Sequence, residues 1–314
     1  MNALLIAWNL GRRLPEPVLR GALAVGADVT WALRGSGVRR LEANLRRTRP
    51  AASGRELRRL SRRGMRTYLR YFGEAFTLGR LTAEQIDARV RAEGAEAVLA
   101  HSGTVPVVLA LGHTGNWDLA GAWAGRHLAP VTTVAERLEP PEVFEQFLAF
   151  RTALGMRILP MDQGGVFGRL VAVVRAGEPA LIPLLADRDL SHTGVEVELF
   201  GETARVAAGP AALAVATGAP LFPLSIRHER LRGDRRRAAR SRWGIVLTFG
   251  PQMAPGTDLP RSEQVAELTQ RWVSWLGDQI AADPTHWHML QRVFVADLDP
   301  ERLARSRAAA EEAS

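Results

Sequence analysis

The sequence predicts an α/β fold: a mixed, mostly parallel central sheet flanked by helices, preceded by a helical N-terminal region. Three observations predict it. From about residue 100, short runs rich in valine, leucine and isoleucine alternate with amphipathic stretches of ten or more residues. The apolar runs at 104–111 and 180–186 are almost free of polar side chains, as strands buried on both faces are. At 314 residues and 46% hydrophobic, the chain also has enough apolar surface for one large core with helices on both faces of the sheet.

Residues 1–80 read as helical. Leu4, Leu5, Trp8, Val18, Leu19, Leu23 and Trp31 form apolar stripes broken by Pro15, Pro17, Gly35 and Gly37. Between 38 and 70 arginine is dense and is interleaved with Leu41, Leu45, Leu57, Leu60, Met65 and Leu69. Two readings of that basic amphipathic stretch stand side by side. One is a solvated helix face packed on a core; the other is adhesion to anionic lipid, at about 1 kcal/mol per basic residue near the surface. Downstream, strands are expected at 104–111, 131–135, 157–160, 180–186, 195–200, 221–227 and 245–249. Helices are expected at 118–127, 142–154, 166–175, 210–217 and 262–281, with Pro210 at a helix start and Gly218 at its stop. The arginine-rich stretch 233–242 reads as an exposed loop. The chain thus divides into a basic, membrane-associating helical region at 1–80, an α/β domain at 81–300, and a charged, alanine-rich, poorly tethered tail at 301–314.

Composition excludes several function classes. There is no cysteine, so disulfides, thiolate nucleophiles and cysteine–metal sites are ruled out. The formal net charge is +8 and every one of the 41 basic residues is arginine, whose guanidinium stays charged and forks onto phosphate. Nucleic acid is not the expected partner: no binding motif is present, and Tyr68, Tyr71 and Phe72 cluster instead of spacing out as a stacking platform. No run approaches the roughly 20 apolar residues of a membrane span, and the short apolar start is followed, not preceded, by arginines, unlike a signal peptide. The expectation is a protein at the cytoplasmic face of the cell membrane, held peripherally.

The segment that carries chemistry is Gly112-His113-Thr114-Gly115-Asn116-Trp117-Asp118, between a buried strand and a helix. In open α/β sheets, ligands gather beyond the carboxyl ends of strands. Glycines at 112 and 115 let the backbone turn sharply enough to bring His113 and Asp118 together. A carboxylate on an imidazole fixes its tautomer and stabilises the imidazolium that forms when it removes a proton. No serine-hydrolase elbow, zinc motif, Walker loop or dinucleotide fingerprint is present, and His286 and His288 have no third ligand nearby. General-base catalysis with neither metal nor covalent nucleophile is what remains.

At these residues the chain resembles the lysophospholipid-type acyltransferase superfamily, whose mark is a histidine, four residues, then an acid, here His113 to Asp118. Within it the chain is similar to the late acyltransferases of lipid A biosynthesis, and closer still to the actinobacterial phosphatidylinositol mannoside acyltransferases. The likeness runs from about residue 41 to 294 and includes the blocks at 185–189, 194–201, 208–214 and 284–288. Lipid A enzymes often carry glutamate where this chain has Asp118, and many have an N-terminal anchor; both departures tilt toward the mannoside branch.

The resemblance implies that His113 deprotonates a mannose hydroxyl of a phosphatidylinositol mono- or dimannoside, with Asp118 holding and polarising it. The oxygen would attack the thioester of an acyl-CoA, palmitoyl in the expected case, with no cofactor beyond that co-substrate and with a monomeric enzyme. Asn116 and Trp117 belong to the same motif. Glu136 and Arg151 fall where related mannoside enzymes place polar residues around the acceptor and the developing charge. Asp187 and Arg188 end a buried strand, where an idle ion pair would be costly. Arg205, read as lying in a loop before a helix, is a candidate for binding phosphate or carboxylate. Glu196 and Glu198 share a strand face, and an exposed edge explains them as well as catalysis does. Trp287 and Arg292 are placed outside the site. Candidate walls for the acyl chain are the helices at 117–123 and 166–174. Chain length, mannose number, hydroxyl position, and CoA versus acyl carrier protein stay open. The rivals are a hydrolase on the same scaffold and a non-catalytic basic protein binding nucleic acid or membrane.

Overall fold

The computed structural model describes residue 8, residues 11–136, 140–161, 165–189, 194–256 and 258–301, and residue 304. The expected 301–314 tail and the apolar start before residue 11 lie outside the described residues except at 8, 301 and 304.

Three helices open the described chain: α1 (Glu16–Leu33), α2 (Ser36–Thr48) and α3 (Gly54–Leu78). The start of helix α3 is fixed by a double cap: Ser53 accepts from the Glu56 N–H while the Glu56 carboxylate takes the Ser53 N–H. Its apolar stripe, with Val38, Leu41 and Leu45 of α2 and Ala27 of α1, forms a buried cluster with Leu57 and Met65. The arginines between them point mostly outward. This is the solvated helix face packed on a core: the leucines pack and most of the guanidiniums face solvent. Among the described residues no helix is long and apolar enough to cross a membrane.

After α4 (Ala83–Arg89) come β1 (Val90–Glu93), α5 (Glu96–Ser102) and β2 (Val107–Leu111). Next are α6 (Trp117–His127), β3 (Thr132–Ala135), α7 (Pro141–Ala153) and β4 (Arg157–Pro160). Then follow α8 (Val166–Arg175), β5 (Leu181–Leu185), and the hairpin β6 (Gly194–Leu199) with β7 (Glu202–Ala207). The rest is α9 (Gly209–Thr217), β8 (Leu221–Arg230), α10 (Gly233–Ala239), β9 (Trp243–Phe249) and α11 (Arg261–Ala282).

The central sheet has the order β1-β9-β8-β2-β5 and is parallel at every pairing except β8–β9. This is the mixed, mostly parallel sheet the sequence predicts. Successive residues of β2 face opposite layers: Val108 and Ala110 join one core, and Val107, Leu109 and Leu111 the other. With both faces covered by apolar side chains, β2 has no polar side to show, which is why its sequence reads as a continuous apolar run.

Several local expectations change. The stretch 233–242 is not a loop throughout: Gly233–Ala239 is a helical segment whose Arg235 reaches Glu229 at 2.8 Å. The strands do not all join one sheet. β3 and β4 pair only with each other as regular strands, and β6 and β7 form a separate antiparallel ribbon. Arg205 therefore lies within strand β7, not in a loop. Strands β1 and β7 and helices α4 and α5 were not anticipated, being short and broken by charged residues. β8 runs past its predicted end to Arg230, because antiparallel pairing with β9 continues beyond the end of β2.

Candidate active site

The register of β2 with β5 builds the site. Leu111 lies beside Leu185, so the residues two positions on, His113 and Asp187, emerge side by side at the carboxyl ends of neighbouring parallel strands. The His113 Nδ1 lies 2.5 Å from Asp187 Oδ1, and the His113 backbone N–H donates to Asp187 Oδ2 at 2.9 Å. Trp287 donates its indole N–H to the same Oδ2 at 2.8 Å. Asp187 is buried, whereas the His113 side chain keeps about a third of its surface exposed. With Nδ1 committed to Asp187, Nε2 is the nitrogen left to exchange a proton with a substrate.

Electrostatics follow from the contacts. Burial alone would pull His113 down, but the Asp187 charge and hydrogen bond outweigh it, Arg188 opposes them and Glu136 assists, so the imidazole ends above its ordinary value. Burial would push Asp187 up, yet His113 and the Trp287 donor hold it below the usual carboxylate range. The two directions agree: each partner stabilises the charged form of the other.

The expectation that Asp118 holds His113 is therefore corrected. The carboxylate on the imidazole belongs to Asp187. Asp118, in the first turn of α6, accepts from Arg151 Nε at 2.7 Å and from the Tyr71 hydroxyl at 2.8 Å. It ties α6 to α7 and α3, and its charge raises Arg151 against the effect of burial. Burial and that same charge push Tyr71 well above an ordinary phenol. Arg151 thus joins Asp118 instead of standing alone, and its guanidinium also lies 5.6 Å from the Phe147 ring centre.

Other expected site residues fall in different places. Asn116 caps α6, its side-chain oxygen accepting from the Leu119 N–H at 3.0 Å while its amide donates to Glu74 at 2.8 Å. Trp117 stands edge-on to His113, ring centres 5.8 Å apart, and packs on Tyr71 at 4.2 Å. Glu136, exposed at the end of β3, and Arg188, half-buried beside Asp187, act on His113 through their charges. Arg205 is buried in β7 and pairs across the hairpin with Glu196 at 3.4 Å, a role within that ribbon. Glu196 and Glu198 are both exposed, in keeping with an edge.

Sequence reasoning missed three contributors. Trp287, placed outside the site, is buried and holds Asp187. The His288 N–H donates to the His113 carbonyl at 2.7 Å and the Gly115 N–H to the His286 carbonyl at 3.1 Å, so segment 286–288 stitches the His113 turn in place. Tyr71, read in the sequence only as one of a cluster with Tyr68 and Phe72, donates its hydroxyl to Asp118. Two glycines make the turn possible. A Cβ on Gly112 would stand 2.9 Å from Asp187 Oδ2, and Gly115 takes φ +57° with a Cβ position 2.6 Å from the Ile226 carbonyl.

Between the sheet and α6 lies a narrow apolar cavity of about 70 Å³, bounded by Leu109, Leu111, Trp117, Gly121, Met156 and Phe249 and reaching Asp118 and Arg151; neither His113 nor Asp187 lines it, and Trp117, edge-on to His113, stands between the pair and the cavity. Of the two expected walls, α6 lines it and α8 does not. A base at a strand end, held by a buried acid and flanked by apolar space, suits proton removal from an alcohol attacking a lipid-borne acyl group.

Comparison with known proteins points to acyl transfer. Residues 2–295 match the model for bacterial lipid A biosynthesis acyltransferases. The chain is 38% identical over 305 residues to a phosphatidylinositol mannoside acyltransferase of Mycolicibacterium smegmatis, covering 95% of this chain and 92% of that one. It is 36% identical over 308 residues to a protein of the same name from Mycobacterium tuberculosis, covering 96% and 90%. A crystal structure of the 1-acyl-sn-glycerophosphate acyltransferase from Thermotoga maritima overlaps 84% of this chain and 98% of its own at 13% identity, with a TM-score of 0.36 that is too low to bear on fold or function.

Proposed function

We propose a reaction for this chain, which belongs to the bacterial lipid A biosynthesis acyltransferase family and is an acyltransferase: transfer of a long-chain acyl group from acyl-CoA to a mannose hydroxyl of a phosphatidylinositol mannoside. Nε2 of His113 takes the proton of the mannose hydroxyl as its oxygen bonds to the thioester carbonyl carbon. The tetrahedral intermediate then expels the CoA sulfur, which leaves as the thiol with the proton held by the imidazolium. Asp187 fixes the tautomer and stabilises that imidazolium, as geometry and charge both favour. The single observation that carries the reading is the His113–Asp187 pair, joined through Trp117 to an apolar cavity, on a chain whose relatives are named for this substrate.

The cavity is far smaller than a palmitoyl chain, so the acyl chain would enter by parting side chains such as Met156 and Leu111, gaining about 0.8 kcal/mol per buried methylene. Arg151 and Glu136 would stand by the acceptor. Attachment to a membrane surface is supported by α1, which exposes Val18, Val25, Val29 and Leu33 along one face; the cytoplasmic side is part of the proposal. The test is mass spectrometry of glycolipid after incubation with palmitoyl-CoA. A mannoside gaining one palmitoyl ester, lost in His113→Ala, is expected. CoA release indifferent to the acceptor would instead identify a hydrolase.

A further inference from the structure

Past the end of β2, strands β8 and β9 continue as a two-stranded ribbon that ends at the Arg230–Trp243 pairing. Between this ribbon and helices α1 and α3 lies a cavity of about 490 Å³, separate from the apolar one. Five arginines line it: Arg20, Arg66, Arg70, Arg230 and Arg242. A second cleft of about 380 Å³ shares Arg230 and Arg242 and adds Arg232 and Arg236.

The carboxylates on the cavity wall are already engaged. Glu16 accepts from Arg89 at 2.9 Å and from Ser241 at 3.0 Å. Glu74 accepts from Asn116 at 2.8 Å and lies 3.1 Å from His228 Nε2. Arg66 is held by Asp28 and Arg20 by Glu16. Among the described residues no carboxylate forms an ion pair with Arg70, Arg230 or Arg242. What holds two of them is Trp243, whose ring centre lies 3.6 Å from the Arg70 guanidinium carbon and 5.0 Å from that of Arg230. Burial, partly offset by Glu74 and reinforced by Arg230, Arg20 and Arg66, pushes Arg70 down to about 10. Like charges collected around a hollow, with an aromatic platform fixing their forks, work against the folded state unless an anion occupies it. Planar guanidinium forks match phosphate oxygens in pairs.

We propose that the cavity between α1, α3 and the β8–β9 ribbon is a non-catalytic anion site that takes a phosphate ester, bound by Arg70, Arg230 and Arg242. It does not depend on the acyl-transfer reading, since its test reads binding and not turnover. The phosphate comes either from a lipid headgroup, reached through α1 whose opposite side exposes Val18, Val25 and Val29, or from a soluble ligand.

The experiment uses the full chain and two probes: pyrophosphate in calorimetric titration, and phosphatidylcholine vesicles with and without phosphatidylinositol in sedimentation. The variants are Arg70→Gln and the double change Arg230→Gln with Arg242→Gln; the latter two side chains are exposed, so that variant keeps its fold by near-UV circular dichroism. Exposed Arg55 and Arg59, both changed to Gln, are the control for bulk charge. Affinity is expected to fall about ten-fold or more in the cavity variants for at least one probe, and to stay near wild type in the control. Loss confined to phosphatidylinositol vesicles identifies a lipid phosphate; loss confined to pyrophosphate identifies a soluble one. The proposal is overturned if wild type binds neither probe, if the cavity variants bind like wild type, or if the control loses as much as they do.

Discussion

Replacing Asp187 with asparagine separates the two acids that compete for the role of histidine partner. Asp187 accepts three hydrogen bonds: from the His113 N–H, from the Trp287 indole and at His113 Nδ1. An asparagine oxygen in place of Oδ2 keeps the first two and turns its NH2 toward Nδ1. Nδ1 must then be the acceptor, the proton moves to Nε2, and the base is in the wrong tautomer. A fall in kcat on the order of 10²–10⁴-fold is expected, with KM little changed. The pH profile gives a second reading. The base works when neutral, so the rate climbs as pH passes through the His113 pKa, which lies above 6.5 in the wild type because Asp187 outweighs burial. Without that charge burial prevails, and the acid limb moves to lower pH even as the plateau drops. Stability carries the matching sign. A raised histidine contributes below its unfolded value of 6.5 and fades as pH rises through the folded value; a lowered aspartate contributes above 3.8 and fades as pH falls through its folded value. The melting-temperature gap between wild type and Asp187→Asn is therefore widest between those two figures and narrows toward alkaline pH. Asp118→Asn is the counterpart: it breaks a buried pair with Arg151, costs about 3–5 kcal/mol of stability and leaves the acid limb in place. Initial rates of CoA release with glycolipid acceptor, from acid to alkaline pH, decide the matter. A limb that shifts in Asp118→Asn and stays put in Asp187→Asn refutes the assignment.

Gly112→Ala sets a methyl 2.9 Å from Asp187 Oδ2 and from Leu276, so kcat is expected to fall at least about ten-fold while far-UV circular dichroism stays native. Gly121→Ala brings a methyl within 2.6 Å of the Met156 sulfur at the apolar cavity, and competition between acyl-CoA donors is expected to show a preference for shorter chains. Asn116→Ala removes the α6 cap and the Glu74 contact; a loss of about 1 kcal/mol or more in urea unfolding is expected, with the acid limb unmoved.

The sheet was largely legible because β2 and β5 have a burial pattern that leaves only apolar residues in the sequence. The β6–β7 ribbon was harder. Exposed Glu196 and Glu198 alternate with Val197 and Leu199 as in a half-buried strand, but Arg205 in β7 looks like a loop residue until its cross-strand partner is known. His113 was legible from its setting between a buried strand and a helix. Its partner was misread because the local spacing to Asp118 is visible in the sequence, whereas the Asp187 contact depends on register between strands 74 residues apart. The signal was only partial: both residues follow apolar runs, but the runs read at 104–111 and 180–186 differ in length, and aligning their ends pairs residue 113 with 188, whereas in the structure Leu111 lies beside Leu185. Trp287 carried no comparable signal, since its contact is made by a segment entering from beyond α11.

The division of labour between the two aspartates has a physical cause. In the proposed mechanism the carboxylate that partners the base must keep the imidazole oriented to within a fraction of an ångström, and adjacent parallel strands locked by their ladder hold two side chains more rigidly than a strand and a helix joined by a turn. Asp118 sits on the helix side of that turn, so its position depends on how α6 docks. Arg151 from α7 and Tyr71 from α3 settle the docking by closing on its carboxylate, and Tyr71 in turn places Trp117 at the edge of His113. The short spacing from His113 to Asp118 then serves to anchor the turn on both sides: Asp187 and Trp287 hold it from the sheet, and Asp118 holds it from the helices. Loss of the helix anchor is expected to loosen the apolar cavity before it touches the proton transfer, because Asp118 and Arg151 line that cavity while Asp187 does not.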